Sequence, residues 1–592
     1  MQVIGRKQFQ TKAGVIEGIE FDTCYELRGV RYATAQRWTA PQMVKNWDGV
    51  YDASEYGKRC FQHHWTMDEF YGKEFYTDSS FEVPESEDCL FMTITIPKAE
   101  FLKTDEKRYP IAIWYHGGGF VNGWGTEAEF SGEPYAKRGV ILVRVNERLN
   151  IFGSFYHEEL VKRDGICGNY QLMDHIAALD FVRYLVDDLG GDLNRISIFG
   201  QSAGGMGVEQ MICSPYIKGK VSGAIFQSGF TFCIASRPQG SMQVAILASQ
   251  EYLKAKKLTF EEIEQMPAER LYALSDEYLE FLERYGVGYS AVIDGDYMRE
   301  TCEDAILNGR IPNIPYLLGC CSGDGRMGDG EPQDGPFYQS MALFCKVLQS
   351  QGKRGYLYLF DRNMPGDDAG AFHAADLWYV FGTLKHSWRP FDRKDEELSE
   401  RMIDAWAEFF KTGNIAHVSK NNWKAGISEA AFLTGIERNA DVVALSSYAP
   451  LFARVNYTQW APDLIWMDEN TSWGTPSYYV QKLFSKFRAE STLDLGDQIE
   501  KLRVQGIYCS AGETADKTII VKLVNTTDNE VSIDLENEEG KALTPVKKTV
   551  MCAALTDYNC AKNPMCVSPK ETVECSSEIK MAPQSFIIVE IK

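Results

Sequence analysis

Residues 195–204, Arg-Ile-Ser-Ile-Phe-Gly-Gln-Ser-Ala-Gly, carry the pattern that decides the fold. The apolar run over 195–199 predicts a buried strand, and residues 203–211 predict a helix. Between them, Gly-Gln-Ser-Ala-Gly matches G-x-S-x-G, in which the glycines leave room for a tight strand-to-helix turn that lifts a serine hydroxyl out of the sheet. We therefore predict that Ser202 is a nucleophile. The alternative is a helix cap on an ordinary small-residue turn.

The surrounding sequence predicts an α/β fold followed by an all-β domain. Residues 109–115 and 139–145 have the composition of buried strands, and apolar residues recur at helical spacing over 170–189, which indicates a mostly parallel sheet covered by helices. The last ninety residues differ, because short alternating runs separated by turn residues predict an antiparallel β-sandwich. We predict three parts: a main domain over 1–427, a connecting segment over 428–500 and a sandwich over 501–592.

Composition excludes several classes of protein. Of the 592 residues, 44% are hydrophobic and 24% are charged, which is typical of a globular protein and not of a disordered one. No run approaches the roughly 18 apolar residues of a membrane-spanning helix. The net charge of −22 disfavours nucleic acid as a partner. The N-terminus lacks the apolar stretch of a signal peptide, so we expect a cytoplasmic protein whose fifteen cysteines are mostly reduced.

A second glycine motif supports the assignment of the nucleophile. His116-Gly-Gly-Gly-Phe120 directly follows the predicted strand 109–115 and has the form of an oxyanion loop. Glycines there allow backbone N–H groups to approach a substrate oxygen without interference from a Cβ atom. We predict that Gly118, Gly119 and Ala203 supply the donors of an oxyanion hole. The alternative is a glycine-rich turn without a catalytic role.

A serine nucleophile needs a general base, and this arrangement places the base last in the order Ser, acid, His. Three histidines follow Ser202, namely His373, His386 and His417. His373 lies in a small-residue loop before an apolar run, as a catalytic histidine does. The other two have the polar neighbours of solvated side chains, so we predict that His373 is the base.

The acid should lie between Ser202 and His373, just after a late strand. Residues 314–319 predict such a strand, and Asp324 lies in the loop that follows it. Asp324 would orient the histidine and stabilise its cation during acyl transfer. Asp367 and Asp368 are alternative acids.

No metal or other cofactor is predicted. The adjacent His63 and His64 have no carboxylate or cysteine at metal-ligand spacing. Residues 324–330 lack the ligand spacing and the terminal glutamate of a calcium loop.

Three segments together resemble the type-B carboxylesterase/cholinesterase family of α/β-hydrolases. They are Ser-Glu-Asp-Cys-Leu-Phe at 86–91, Asn-Glu-Arg-Leu-Asn at 146–150, and Gly-Gln-Ser-Ala-Gly-Gly at 200–205. The resemblance runs from about residue 10 to about 425. It implies an α/β-hydrolase fold and an esterase with a Ser–acid–His triad. The acid maps onto Asp324, where the family usually has a glutamate, and the base maps onto His373.

The same resemblance implies three further features. Ser228 corresponds to a serine that supports the acid in the family. Glu87 is expected to form a buried ion pair with Arg37. Cys60 and Cys89 correspond to a disulfide of the family, a bond that a reducing cytosol would not keep.

The C-terminal part resembles a different family. Residues 429–443, 447–451, 460–466 and 475–484 are similar to retaining α-L-arabinofuranosidases of glycoside hydrolase family 51, in a region that follows both catalytic glutamates. The G-N-E motif of that family is missing upstream. The chain therefore resembles an esterase fused to the C-terminal part of an arabinofuranosidase.

The sequence thus predicts a serine carboxylic-ester hydrolase that acts on a small-molecule or oligosaccharide ester. Hydroxycinnamoyl or acetyl esters from hemicellulose are one expected substrate class, and small aliphatic or aryl esters are the alternative. An α-L-arabinofuranosidase and a carbohydrate-binding module are the alternatives from other classes. Trp124 and Phe130 follow the oxyanion loop and are candidates to line an aryl pocket, or else to pack in the core.

Overall fold

The computed structural model describes residues 2–99, 102, 108–232, 239–324, 335–415, 421–455, 463–496, 498–573 and 576–592. The chain divides into two compact units, residues 1–415 and 416–592. The boundary therefore precedes the predicted position after residue 427, and the predicted connecting segment 428–500 belongs to the second unit. The physical reason is the helix Trp423–Arg438, which spans the predicted boundary and buries Trp423, Ile427 and Leu433 in the core of the second unit.

The first unit is built on a mixed sheet of eleven described strands. From Ile141–Val145 to Gly355–Phe360 the neighbouring strands are parallel, as the alternation of strand and helix patterns predicted. In spatial order the strands are Val3–Thr11, Gly14–Phe21, Cys24–Arg31, Phe91–Pro97, Ile141–Val145, Tyr109–Tyr115, Gly191–Gln201, Gly223–Gln227, Tyr316–Cys321 and Gly355–Phe360, with Val50–Ala53 paired to Gly14–Phe21.

Apolar side chains leave the central strands on both faces, so the sheet has a core on each side. Along Tyr109–Tyr115, Ile111 and Ile113 pack in one core, whereas Ala112 and Trp114 pack in the other. This accounts for the continuous apolar runs that predicted buried strands. The α-helices of the unit are Phe70–Phe75, Glu133–Ala136, Asn150–Gly153, Glu158–Asp164, Tyr170–Leu185, Ala203–Cys213, Met242–Lys256, Phe260–Glu264, Ala268–Tyr272, Ser275–Arg284, Cys302–Leu307, Pro336–Ser350, Leu377–Val380 and Arg393–Thr412.

The second unit contains the predicted C-terminal β-structure. A six-stranded antiparallel sheet buries Ile520 and Val524 against helices on one face, and Val521 and Leu523 on the other face, where a two-stranded sheet packs. The prediction of an α/β fold with a C-terminal all-β domain is confirmed. The larger sheet contains Ser491–Thr492, Ile507–Glu513, Ile519–Asn525, Ser585–Ile591, Lys547–Cys552 and Lys570–Thr572; the smaller contains Val531–Asp534 and Glu578–Met581; the helices are Trp423–Arg438, Pro476–Lys486 and Gln498–Val504; and Phe452–Arg454, Ile465–Met467 and Ser472–Gly474 form a third sheet.

The described cysteines are free thiols, and most of them are buried. This includes Cys60 and Cys89, for which the family resemblance implied a disulfide. The Leu149 N–H donates to Cys60 Sγ at 3.4 Å, and the Cys89 thiol donates to the Glu147 carbonyl oxygen at 3.6 Å. Both sulfur atoms are thus held by the segment 147–149. No helix in the described ranges combines the length and the apolar character needed to cross a lipid bilayer.

The expected ion pair between Arg37 and Glu87 is present. The Arg37 guanidinium donates to both carboxylate oxygens of Glu87, one of them at 2.9 Å. It also donates to the carbonyl oxygens of Glu264 at 2.8 Å and Met266 at 2.7 Å, at the C-terminal end of the helix Phe260–Glu264. The two side chains differ in exposure, 12% for Arg37 and 31% for Glu87, so the pair is only partly buried.

This asymmetry predicts unequal effects of removing the two charges. Arg37→Ala should lower the free energy of unfolding by about 2 kcal/mol, because it leaves several partly buried acceptors without a donor. Glu87→Ala should cost about 1 kcal/mol, since its carboxylate is partly solvated. Urea denaturation of both variants measures the difference. Equal losses in the two variants would contradict the view that Arg37 stabilises the fold mainly through its contacts with backbone carbonyl groups.

Candidate active site

Ser202 lies at a sharp turn between the strand Gly191–Gln201 and the helix Ala203–Cys213. Its backbone has φ 53° and ψ −123°, a conformation that costs a non-glycine residue about 1–3 kcal/mol. The turn is held because the Ser202 N–H donates to the Gln227 carbonyl oxygen at 2.8 Å. Gly204 has no room for a side chain, since a Cβ atom there would lie 2.0 Å from the Tyr115 carbonyl oxygen. This is the geometry expected of a nucleophile elbow.

The glycine loop lies beside the serine. Gly118 and Gly119 have φ values of 107° and 66°, and a Cβ atom on Gly118 would lie 2.0 Å from the Asn122 carbonyl oxygen. In the described residues, no turn or side-chain hydrogen bond uses the N–H groups of Gly118, Gly119 or Ala203. These three N–H groups thus stay available as donors, and their role in an oxyanion hole stays a prediction.

The predicted base and acid are in contact. His373 Nδ1 lies 2.6 Å from Asp324 Oδ1, and the Cys321 N–H donates to Asp324 Oδ2 at 2.8 Å. Asp324 is buried, whereas the His373 side chain is one-third exposed. Ser228 does not bond to the acid directly in the described structure. Its Oγ accepts from the same Cys321 N–H at 3.4 Å. Ser228 and Asp324 therefore share one backbone donor.

Asp367, one of the alternative acids, has a different partner. It forms an ion pair with Arg389 at 2.7 Å. The same guanidinium donates to Glu74 at 2.9 Å, and Glu74 also accepts from the indole N–H groups of Trp378 at 2.9 Å and Trp388 at 3.2 Å. Sequence reasoning missed this cluster because Glu74 and Arg389 are 315 positions apart and neither belongs to a local motif.

The other histidines fall outside the triad. His386 is half-buried at a short 3₁₀ turn, and burial lowers its pKa. His417 lies outside the described residues, as do residues 325–330 of the segment weighed as a calcium loop. His63 pairs with Glu69 at 2.9 Å, and His64 pairs with Glu85 at 3.3 Å. The described part of the chain contains no cluster of three or more side chains able to hold a metal ion.

Gln201 occupies a position that the sequence reasoning did not single out. Its side-chain nitrogen lies 3.2 Å from His373 Nε2, the ring nitrogen that would take the proton of the serine. No hydrogen bond joins Ser202 to His373 among the described residues. Catalytic hydrogen bonds in unliganded enzymes often tighten only when substrate binds. The sequence signal for Gln201 is its place immediately before the serine in G-x-S-x-G.

A cavity of about 280 Å³ brings the candidate residues together. Ser202 and His373 open into it beside the glycine loop 117–119. Phe130 lines the cavity, as one of the two candidates for an aryl pocket. Trp124 does not line it: this indole is buried beneath the guanidinium of Arg59, 4.1 Å from the ring centroid.

Buried charges support the oxyanion loop from behind. His116 Nε2 lies 3.2 Å from Glu147, and His175 Nε2 lies 3.3 Å from the other oxygen of the same carboxylate. Burial would lower the pKa of His116, but the charge of Glu147 raises it to about 9. Burial would raise the pKa of Glu147, but the two histidines lower it to about 2. The residue that begins the glycine loop is therefore held by an ion pair.

The fold and this site define a serine hydrolase of the α/β-hydrolase class, with a Ser202, His373 and Asp324 constellation beside a glycine loop. The chain belongs to the carboxylesterase family, whose model matches residues 5–328 and 333–449. It is therefore a serine carboxylic-ester hydrolase. A second model, for the C-terminal domain of α-L-arabinofuranosidases, matches residues 404–585.

Individual relatives agree with this family. A para-nitrobenzyl esterase of Bacillus subtilis is 28% identical over 470 residues, which cover 70% of this chain and 91% of that protein. A fumonisin B1 esterase of Sphingopyxis macrogoltabida is 30% identical over 327 residues, and the match covers 53% of this chain and 56% of the relative. A solved structure of a PNB esterase superposes with a TM-score of 0.59 at 26% identity, covering 69% of this chain and 91% of that one.

Substitutions in the triad test the assignment of roles. Ser202→Ala and His373→Ala should each lower kcat for an aryl acetate by about 10⁵–10⁶, because the members of a triad act as a unit, and Asp324→Asn should lower it by about 10⁴. Asp367→Asn should be much milder, since its partner is Arg389. Initial rates on p-nitrophenyl acetate measure all four. Full activity in Asp324→Asn together with loss in Asp367→Asn would reverse the assignment of the acid.

The buried pair beneath the loop predicts a pH-dependent stability. Because the pKa of Glu147 is lowered to about 2, its contribution is present above its ordinary value of 4.5 and is lost as the pH falls toward 2. Because the pKa of His116 is raised to about 9, its contribution is present below its ordinary value of 6.5 and is lost as the pH rises through 9.

Glu147→Gln should therefore lower the free energy of unfolding most between about pH 4.5 and 6.5, by about 3–5 kcal/mol, and less at about pH 9. Urea denaturation across this range measures the profile. Glu158→Gln, at an exposed glutamate, is the matched control. A loss that does not vary with pH would show that the pair is not ionised in the folded protein.

Proposed function

We propose that this carboxylesterase hydrolyses hydroxycinnamoyl or acetyl esters on oligosaccharides derived from plant cell-wall hemicellulose. The observation that carries the proposal is the C-terminal unit: one chain joins an esterase to a segment that matches the C-terminal domain of α-L-arabinofuranosidases. Arabinose side chains of such polysaccharides carry ferulate and related esters. Both parts of the chain therefore resemble proteins that would act on the same polysaccharide.

The lining of the cavity supports the same substrate class. The residues that line it include the aromatic rings of Trp65, Tyr71, Phe75 and Phe130. Aromatic rings pack favourably against one another, so a wall of this kind suits an acyl group that ends in an aryl ring. A pocket built for short aliphatic acyl groups alone would not need so many rings.

The C-terminal unit is proposed to act as a packing domain or as a domain that positions the substrate. It is proposed to have no glycosidase activity of its own. A retaining glycosidase needs two carboxylates about 5–5.5 Å apart. The segment of the arabinofuranosidase family that would supply them lies upstream of the matched region, and the esterase occupies that part of this chain.

Three substrates test the proposal with the purified full-length protein: methyl ferulate, a short aliphatic ester and an aryl α-L-arabinofuranoside. We expect turnover of methyl ferulate that Ser202→Ala abolishes, and no turnover of the arabinofuranoside. Activity confined to the short aliphatic ester would leave a general carboxylesterase without cell-wall specificity. Cleavage of the arabinofuranoside that survives Ser202→Ala would contradict the account of the C-terminal unit.

A further inference from the structure

Two buried carboxyl groups lie in the aromatic wall of the catalytic cavity. Glu127 and Glu129 are each 3% exposed, and both line the cavity together with Trp65, Tyr76 and Phe130. Glutamate is seldom buried to this degree without a charged or hydrogen-bonding partner. Neither residue belongs to the triad or to the predicted oxyanion hole, so the hydrolytic mechanism does not account for them.

The two carboxyl groups are incompletely satisfied by the protein. The Tyr76 hydroxyl donates to one oxygen of Glu127. Glu129 Oε2 is fully buried and has no hydrogen-bond partner in the described structure. Leaving a buried polar group without a partner is unfavourable, because the group has lost its water without gaining a hydrogen bond. An unliganded enzyme tolerates such a cost where substrate supplies the missing partner.

Other buried glutamates of the same unit show the contrast. Glu209 accepts from the Thr231 N–H at 2.9 Å, the Thr231 hydroxyl at 2.6 Å and the Phe232 N–H at 3.1 Å. Glu74 accepts from Arg389 and two indoles, as described above. Glu147 Oε2 also lacks a hydrogen bond, but it forms an ion pair with His116 at 3.2 Å. In the described structure the Glu129 carboxyl has no ion pair, and Glu129 lines the same cavity as the nucleophile.

The environment also favours the protonated forms of the two carboxyl groups. Burial raises the pKa of Glu127 to about 7, although His116 and Arg59 act against the rise. Burial raises the pKa of Glu129, and the neighbouring charge of Glu127 raises it further. A carboxyl pair that holds a proton can both accept and donate hydrogen bonds, which suits a neutral polar group better than a cation.

We infer that Glu127 and Glu129 form the receptor for a phenolic hydroxyl at the end of the acyl group of the substrate. The aryl ring lies among Trp65, Tyr76 and Phe130, and its hydroxyl bonds to the carboxyl group of Glu129, which lines the cavity. The inference rests on the proposed function, because it names the group that the aromatic cavity recognises on a hydroxycinnamoyl ester. An acyl group that lacks the hydroxyl buries the same ring but leaves Glu129 unpaired, and sites of this kind discriminate strongly against such analogues.

The first experiment needs only the wild-type protein and three matched substrates. They are methyl 4-hydroxycinnamate, methyl cinnamate without the hydroxyl, and methyl 4-methoxycinnamate, in which the donor is methylated. We expect kcat/KM for the hydroxyl ester to exceed that for each of the other two by about tenfold or more, the factor that one buried hydrogen bond of about 1.4 kcal/mol provides. Values within twofold of one another would overturn the inference.

The second experiment assigns the preference to Glu129. Glu129→Leu should reduce the ratio of kcat/KM for 4-hydroxycinnamate to that for cinnamate by about tenfold, whereas Glu129→Gln, which keeps an acceptor, should retain part of the preference. Glu158→Gln should keep the wild-type ratio. If Glu129→Leu does not fold, the kcat/KM ratios of Glu129→Gln and of the wild-type protein still test the role of Glu129. A ratio unchanged in both Glu129 variants would overturn the assignment.

Failure of the proposed function has a different signature. If the protein hydrolyses a short aliphatic ester but none of the three cinnamate esters, the substrate class is wrong and the inference falls with it. If it hydrolyses all three cinnamates at equal rates, the substrate class stands and only the role of Glu129 is overturned.

Discussion

The close approach of the turn at Ser202 to the end of the strand Tyr109–Tyr115 is the constraint on which the site depends. Ser202 can keep its left-handed backbone only because residue 204 is a glycine. Gly204 lies so near the Tyr115 carbonyl oxygen that no side chain fits between them. The strand that ends at Tyr115 continues directly into the glycine loop. One steric contact therefore places the nucleophile and the predicted oxyanion donors next to each other, and the parallel register of the two strands keeps them there.

Behind this contact, buried ion pairs hold the glycine loop and the segment 146–150 in place. The pair of His116 and Glu147 anchors the start of the glycine loop, and Arg148 forms a buried ion pair with Asp174 at 2.7 Å. One partner of each pair, Glu147 or Arg148, comes from the short segment 146–150. Buried pairs of this kind add little to stability as a whole, but each one fixes a geometry, because any arrangement that separates the charges leaves them unpaired in the interior.

The sequence predicted the parts of the site that depend on local geometry. The turn at Ser202, the glycine loop and the strand before Asp324 each depend on residues that are adjacent in the chain. Local sequence motifs were therefore enough to predict them. The features it missed depend on contacts between distant segments. Gln201 meets His373, and Glu74 meets Arg389, only after the sheet has assembled. The domain boundary was misplaced for a related reason, since the helix Trp423–Arg438 gives no local sign of which core its apolar face will join.

The cluster around Arg389 limits how this enzyme can change. Enzymes of one fold commonly acquire new specificities by altering one loop while the rest of the scaffold stays fixed. Here the helix Phe70–Phe75, which forms part of the cavity wall, shares Arg389 with the loop that precedes His373, and Phe70 packs edge-on against Phe372 with ring centroids 5.0 Å apart. The wall that contacts the substrate and the loop that carries the base are thus not independent modules. Natural variants with a different cavity wall would need to co-vary at positions 74, 367 and 389, and a loop graft that ignores them would disturb the base as well as the pocket.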